Sequence, residues 1–262
     1  MNMLPKEWQE SIKKCRIALD LEREPVGVKF YANEQDFKAA EAILPTGKMN
    51  YCQAVAAASY GHSIKLNNEH FRCTSGPRVL GINPTDMLNA NGENWCRLGL
   101  YCNAEVSRTV RNILNYMEHR PYGVELQPIG KLNDVPDVVI MVAPPYQMMR
   151  ILQGYAYKHG MPKNIRMIGN QALCLECTAQ PYQTHDINFS LLCIGTRHRS
   201  NWKDGEMAAG IPGAQFCDVI DGVWNTLNIM ESDANKQLIA EKARHDAQKI
   251  DIKYQYNYYM DC

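Results

Sequence analysis

Cysteine carries the chemistry of this chain. Between residues 172 and 212 stand Cys174, Cys177 and Cys193, followed by a basic cluster (Arg197, His198, Arg199, Lys203), two acids (Asp204, Glu206) and a Gly-Ile-Pro segment. An earlier stretch, residues 51–81, carries Cys52, Cys73 and Arg78. Four thiolates brought to one place suit a [4Fe–4S] cluster or a zinc ion. Structural zinc usually takes two close cysteine pairs, and only Cys174 and Cys177 have that spacing here. The close-packed cysteine run of bacterial ferredoxins is absent. Widely spaced single cysteines, each at the end of an element, fit a cluster held inside a larger domain. The expected metal ligands are Cys52, Cys73, Cys174 and Cys193, with the choice between Cys174 and Cys177 left open.

Internal similarity supports this grouping. The first half contains P-V-G-V-K-F, then C-Q-A-V-A-A-A-S-Y, then F-R-C-T-S-G-P-R; the second contains P-D-V-V-I-M, C-L-E-C-T-A-Q-P-Y and L-L-C-I-G-T-R. Cys52 lies 8 positions before Tyr60, as Cys174 lies 8 before Tyr182; Cys73 follows Cys52 by 21 positions and Cys193 follows Cys174 by 19. A Gly-x-Arg triplet comes soon after each second cysteine: residues 76–78 and 195–197. Two such units packed about a pseudo-two-fold axis would bring the four cysteines together. Cys52 and Cys174 are placed at helix N-termini, where the helix dipole favours thiolate.

The basic residues are the second chemical signal. Arginine offers a planar fork for carboxylate or phosphate, so Arg78, Arg197 and Arg199 are expected to hold an anionic substrate. The bland alternative is surface pairing with Asp204 and Glu206. His198 and His62 are candidate proton donors, since imidazole titrates near neutral pH; Cys177, if not a ligand, is a candidate redox or acid–base thiol. Cys96 and Cys102 sit in a Gly-containing loop at a nonspecific spacing, and Cys15 lies on an apolar helix face.

These groups need elements to position them. Periodicity predicts helices over 5–23, 33–44, 51–60, 104–120, 145–159, 218–230 and 234–249. Strands are expected at 25–31, 123–129, 137–143, 166–169 and 191–194, the run at 137–143 being apolar enough for a central position. Residues 75–102, rich in Gly, Pro and Asn, read as loop with short helical pieces. The Tyr-rich C-terminal stretch suits a cap over the active face or over a subunit interface, the bland alternative being a helix end docked on the surface. The fold class expected is α/β: two pseudo-repeated lobes of small mixed sheets with flanking helices around a central cysteine site. The segments are an N-terminal helix (1–24), a first lobe (25–122), a second lobe (123–226) and a C-terminal helix and tail (227–262).

Composition bounds the partners. In 262 residues, 28 basic side chains cancel 28 acidic ones, which gives no global argument for nucleic acid or an anionic membrane. No apolar run approaches the roughly 20 residues of a membrane span, and the N-terminus lacks a signal-peptide pattern, so a cytoplasmic protein is expected. Ten cysteines in a reducing compartment point to metal binding, redox work or burial instead of disulfides. Dinucleotide, Walker A, H-E-x-x-H and G-x-S-x-G signatures are absent.

With P-V-G-V-K-F, M-N-Y-C-Q-A-V-A-A-A-S-Y-G, F-R-C-T-S-G-P-R-V-L-G, S-L-L-C-I-G-T-R and G-E-M-A-A-G-I-P, the chain resembles the domain of unknown function 169 family of archaea and anaerobic bacteria over most of residues 25–215. The resemblance implies a cytoplasmic protein of anaerobes with recurrent cysteines at Cys52, Cys73, Cys193 and near Cys174; it supplies no reaction. The expectation is an oxygen-sensitive [4Fe–4S] enzyme acting on a small anionic substrate, by reduction or by Lewis-acid lyase or desulfurase chemistry. Three protein ligands and an open iron would favour the latter, four ligands electron transfer. The alternatives are a non-catalytic electron carrier or redox sensor with a partner protein, and a structural zinc protein. A homo-oligomer is compatible with each.

Overall fold

Residues 138–143 are apolar without interruption because both faces of the strand they form are covered. In the computed structural model, which describes residues 4–227 and 232–246, every residue of β4 (Val138–Ala143) is buried. Successive side chains point to opposite faces of a strand. Accordingly Val138, Ile140 and Val142 enter one core, and Val139, Met141 and Ala143 the other. β4 pairs with β1 (Val26–Tyr31) on one side and β6 (Met207–Pro212) on the other. β3 (Gly123–Pro128) and β2 (Ile64–Asn67) continue the sheet beyond β1, and β5 (Asn188–Ser190) closes the far edge. The result is one six-stranded antiparallel sheet, ordered β2-β3-β1-β4-β6-β5.

One face is covered by α1 (Lys6–Leu19), α8 (Pro145–His159) and α11 (Gly213–Asn225), where Trp8 stacks on Phe216 with ring centroids 4.7 Å apart. α12 (Asp233–Asp246) leans on α1 through Ile239 and Ile17. The opposite face carries α3 (Tyr51–Ser59), a π-helix (Ala172–Ala179) and α9 (Gln180–Thr184), with α4 (Ser75–Val79) and α10 (Ile194–Ser200) beside them. α2 (Glu34–Ala39) packs Phe37 over the β1–β3 end, and α5 (Met87–Ala90), α6 (Glu93–Arg97) and α7 (Ala104–Asn112) form an outer shelf.

The mixed α/β class expected from the sequence is what the structure shows, but the sheet is arranged differently. Instead of two small mixed sheets there is one antiparallel sheet, joined by the pairs Val26↔Ile140, Gly27↔Val139 and Val28↔Val138. Pairing the two innermost strands removes two exposed edges. β3, assigned by sequence to the second lobe, lies between β1 and β2. No strand forms at 166–169; the expected strand at 191–194 is displaced to β5, and Ile194 already begins a helix. α7 ends at Asn112, well short of residue 120, because the chain turns inward to bury Leu114 and Met117. β2 and β6 were not anticipated. The Tyr-rich tail and Cys262 lie outside the described residues.

Candidate metal centre

Each of the four expected ligands stands at the start of a helix. Cys52 is the second residue of α3, whose first turn is fixed by the Asn50 N–H donating to Gln53 Oε1 (2.9 Å). Cys73 comes just before α4. Cys174 is the third residue of the π-helix, and Cys193 is the N-cap of α10, its sulfur accepting from the Thr196 N–H at 3.4 Å. All four are half-buried. Helix starts direct unpaired N–H groups and the positive end of the dipole at a sulfur, which favours its anionic form.

The other three thiols lie within electrostatic reach of Cys174. Burial pushes the Cys174 thiol well up, and charge on Cys73, Cys193 and Cys52 pushes it further. Cys52 is also pushed up by burial; the Ser200 hydroxyl pulls it down, Cys73 and Cys193 raise it, and Thr196 lowers it. Thr196 Oγ1 also lies 3.0 Å from Cys193 Sγ, so one hydroxyl serves two cysteines from different halves. Ser200 Oγ is buried and has no hydrogen-bond partner among the described residues, leaving a donor beside Cys52 for a thiolate. No basic side chain is among the groups acting on Cys174. Burial holds the Cys52 and Cys174 thiols protonated; a metal would displace their protons. Among the described residues, no three thiol, imidazole or carboxylate groups stand close enough to hold a metal ion as they are.

The π-helix separates Cys174 from Cys177. Its wide turn is marked by the Glu176 N–H donating to the Gln171 carbonyl, five residues back, at 3.4 Å, and the Thr178 hydroxyl donates to the Leu173 carbonyl at 2.7 Å. Cys174 faces Gln171, whose carbonyl lies 3.6 Å from its sulfur and whose side chain accepts from Tyr116 at 2.7 Å. Cys177 is fully buried, with Ser190 beside its thiol and its backbone pressed on β6. The approach demands glycine: a Cβ on Gly210 would stand 2.2 Å from the Cys177 carbonyl oxygen. Burial, then the charge of Glu176, keep the Cys177 thiol neutral. Glu176 itself is buried, accepting from the Ile168 N–H (2.6 Å), the Gly169 N–H (3.0 Å) and the Ser190 hydroxyl. Ser190 Oγ accepts from the Leu192 N–H at 3.0 Å and so helps hold Leu192 left-handed (φ 64°) immediately before Cys193.

The basic residues divide. Arg197 is tied to the backbone carbonyls of Lys203 (2.5 Å), Leu191 (2.8 Å) and Glu206 (3.1 Å). Those bonds lock the α10–β6 loop and engage both of its Nη groups, so the expected anion clamp at Arg197 is replaced by a structural tie. His198, Arg199 and His62 are exposed. Glu206 is paired with the buried Arg23 at 2.7 Å, and Lys203 with Glu22. Arg78 is different: it pairs with the half-exposed Asp86 at 3.0 Å and lines a surface pocket of about 400 Å³ that Cys73 also lines. Cys96 and Cys102 belong to the outer shelf, and Cys15 and Cys217 are buried in the other layer.

Sequence reasoning missed Thr196, Ser200, Tyr116 and Tyr51. The Tyr51 hydroxyl meets Thr178 Oγ1 at 2.9 Å and joins α3 to the π-helix. Cys-x-x-Thr at 193–196 was a usable signal, being the spacing of an N-cap to its third helical residue. Tyr116 had none, because it reaches the site only through the inward turn after α7.

Residues 15–222 match the profile of the DUF169 family, described as an uncharacterised ArCR. No curated protein and no solved structure matches the chain.

Proposed function

The chain belongs to the DUF169 family, and on that premise we propose that Cys52, Cys73, Cys174 and Cys193 hold an iron–sulfur cluster at which a small substrate is transformed. The observation that carries the proposal is that four cysteines at or just before helix starts converge: the Thr196 hydroxyl lies 3.0 Å from Cys193 and also reaches Cys52, while Cys52, Cys73 and Cys193 all bear on Cys174. Their sequence spacing supports a cluster over a zinc ion, because only Cys174 and Cys177 have the close-pair spacing of a structural zinc site. Cys177, which would complete a zinc-like pair with Cys174, is turned into the core.

Topology supports the repeat behind this grouping. In chain order each half supplies three strands, and in the sheet they lie β2-β3-β1 and β5-β6-β4, with β1 and β4 antiparallel at the middle. An axis through that pair would relate α3 to the π-helix and α4 to α10, placing Cys52 opposite Cys174 and Cys73 opposite Cys193.

A cluster in this position supplies electrons or a Lewis-acidic iron. The residues do the rest. Thr196 contacts the Cys193 sulfur, the Ser200 hydroxyl stands beside Cys52 to donate to a thiolate, and Tyr116 with Gln171 fixes the entry to the π-helix. The pocket at Cys73 favours an enzyme over a pure electron carrier, which needs no substrate-sized hollow. His198, exposed on α10, and Cys177 remain the proposed proton carriers, Cys177 requiring local opening of the π-helix to reach solvent. Arg78 is the anion-facing arginine of the pocket, with Arg199 outside it.

The test is spectroscopic. Protein purified without oxygen should show broad visible absorption that bleaches with dithionite. Cys52→Ser, Cys73→Ser, Cys174→Ser and Cys193→Ser should each abolish or alter it, and Cys177→Ser should leave it. A spectrum indifferent to all five substitutions would refute the assignment.

A further inference from the structure

Beside the cysteines the surface is hollow and its charge is one-sided. The pocket of about 400 Å³ is lined by Lys48, Asn68, Arg72, Cys73, Arg78 and Asn83, with Phe71 and Pro77 in its wall. It holds three cationic side chains and no carboxylate. Lys48 and Arg72 form no ion pair with the described residues; Arg78 has Asp86, which is half exposed and engaged with Asn89 as well. Three cations, two of them without an ion pair among the described residues, gathered in a concave site repel each other and are kept together by the fold, which is the arrangement of a receptor for an anion.

The backbone shows how they are kept together. The Met49 N–H donates to the His70 carbonyl and the Arg72 N–H to the Met49 carbonyl, both at 2.9 Å, so the strand-like pair Met49↔Phe71 sets Lys48 and Arg72 on neighbouring segments. The Asn83 N–H donates to the Pro77 carbonyl at 3.0 Å and closes the third side. Cys73 stands between them. Its sulfur is admitted by Gly76, where a Cβ would come within 3.1 Å of it.

We propose that this pocket binds a small organic acid by its carboxylate or phosphate head, held by Arg72, Arg78 and Lys48 with the rest of the molecule directed toward the Cys73 sulfur. Guanidinium forks match either oxyanion, and the two asparagines supply neutral amide donors and acceptors. Naming the ligand a substrate rests on the metal-centre assignment above; its binding does not, and the two can fail separately.

Cys73 itself reports on the pocket. In metal-free, reduced protein, iodoacetate and iodoacetamide alkylate the same sulfur but differ in charge. The rate ratio of iodoacetate to iodoacetamide at Cys73, read by peptide mass mapping, is compared with the ratio at Cys73 in the urea-unfolded chain. The pocket predicts a ratio about ten-fold higher in the folded protein, falling as salt rises. Inorganic phosphate or malonate should protect Cys73 at millimolar concentration, malonate alone marking a carboxylate site and phosphate alone a phosphate site. Arg72→Gln with Arg78→Gln should return the ratio to the unfolded value, while circular dichroism confirms the fold and the anaerobic spectrum of the loaded variant is kept. Equal ratios in folded and unfolded protein, or no protection by either anion, would overturn the pocket and leave the metal centre standing. Protection in a protein that binds no metal would leave the pocket and remove the centre.

Discussion

Cys174 and Cys177 stand three positions apart and meet opposite surroundings. The first lies within electrostatic reach of three other thiols; the second is sealed between the π-helix and β6 with no exposed surface. On the proposed assignment, replacing Cys174 removes a ligand, whereas Cys177→Ser puts a hydroxyl where a thiol already has Ser190 for company, and metal content should survive it. Thr196 makes a finer prediction. Its hydroxyl serves Cys193 and Cys52 together, and outer groups of this kind are typically worth about 10- to 100-fold in metal affinity. Thr196→Val should weaken retention by that order in competition with a chelator, while Thr196→Ser retains it. Equal retention by the valine variant would show that the hydroxyl only packs.

At the scale of elements, the second half is held by features a periodicity search passes over. The π-helix pushes Cys174 out and Cys177 in, and it needs Gly210 beneath it. Gly210→Ala forces backbone against a methyl group and should cost about 1–3 kcal/mol or more in urea unfolding. The pair Arg23 and Glu206, 2 % and 4 % exposed, fastens the segment before β1 to the start of β6. Arg23→Ala strands a buried carboxylate and should cost about 3–5 kcal/mol; a loss under about 1 kcal/mol would mean that water reaches Glu206. These are also the places where the sequence was least legible. Residues 26–31, 51–59, 138–143 and 145–159 follow their period and form as expected, because local pattern and tertiary demand agree. β6 passes for a Gly-Ile-Pro turn, since Ala209 and Gly210 carry no strand preference and pair only because β4 and β5 flank them. The strand expected at 191–194 fails because Leu192 is left-handed and Cys193 caps a helix. The pocket cations Lys48 and Arg72 were not legible in the sequence, because an irregular loop carries them.

For the whole molecule, neutral thiols couple stability to pH. Burial pushes Cys15 up from its ordinary 9.0 to about 12, and Cys52, Cys174 and Cys177 are raised too. A thiol whose folded pKa lies above its unfolded one contributes stability that is full below the unfolded value and is lost as pH rises toward the folded value. Metal-free protein should therefore lose melting temperature steadily above about pH 9. Metal loading takes Cys52 and Cys174 out of that account and should flatten the loss, while the contribution of Cys15, in the other layer, persists. Parallel curves for loaded and metal-free protein would mean that these thiols do not bind the metal. The central claim is the cluster itself, and the most direct measurement is iron, acid-labile sulfide and zinc per chain in protein purified without oxygen. The account predicts about four iron and four sulfide per chain, lost together in Cys174→Ser and kept in Cys177→Ser. Zinc alone, or no metal in protein handled without oxygen, would contradict it.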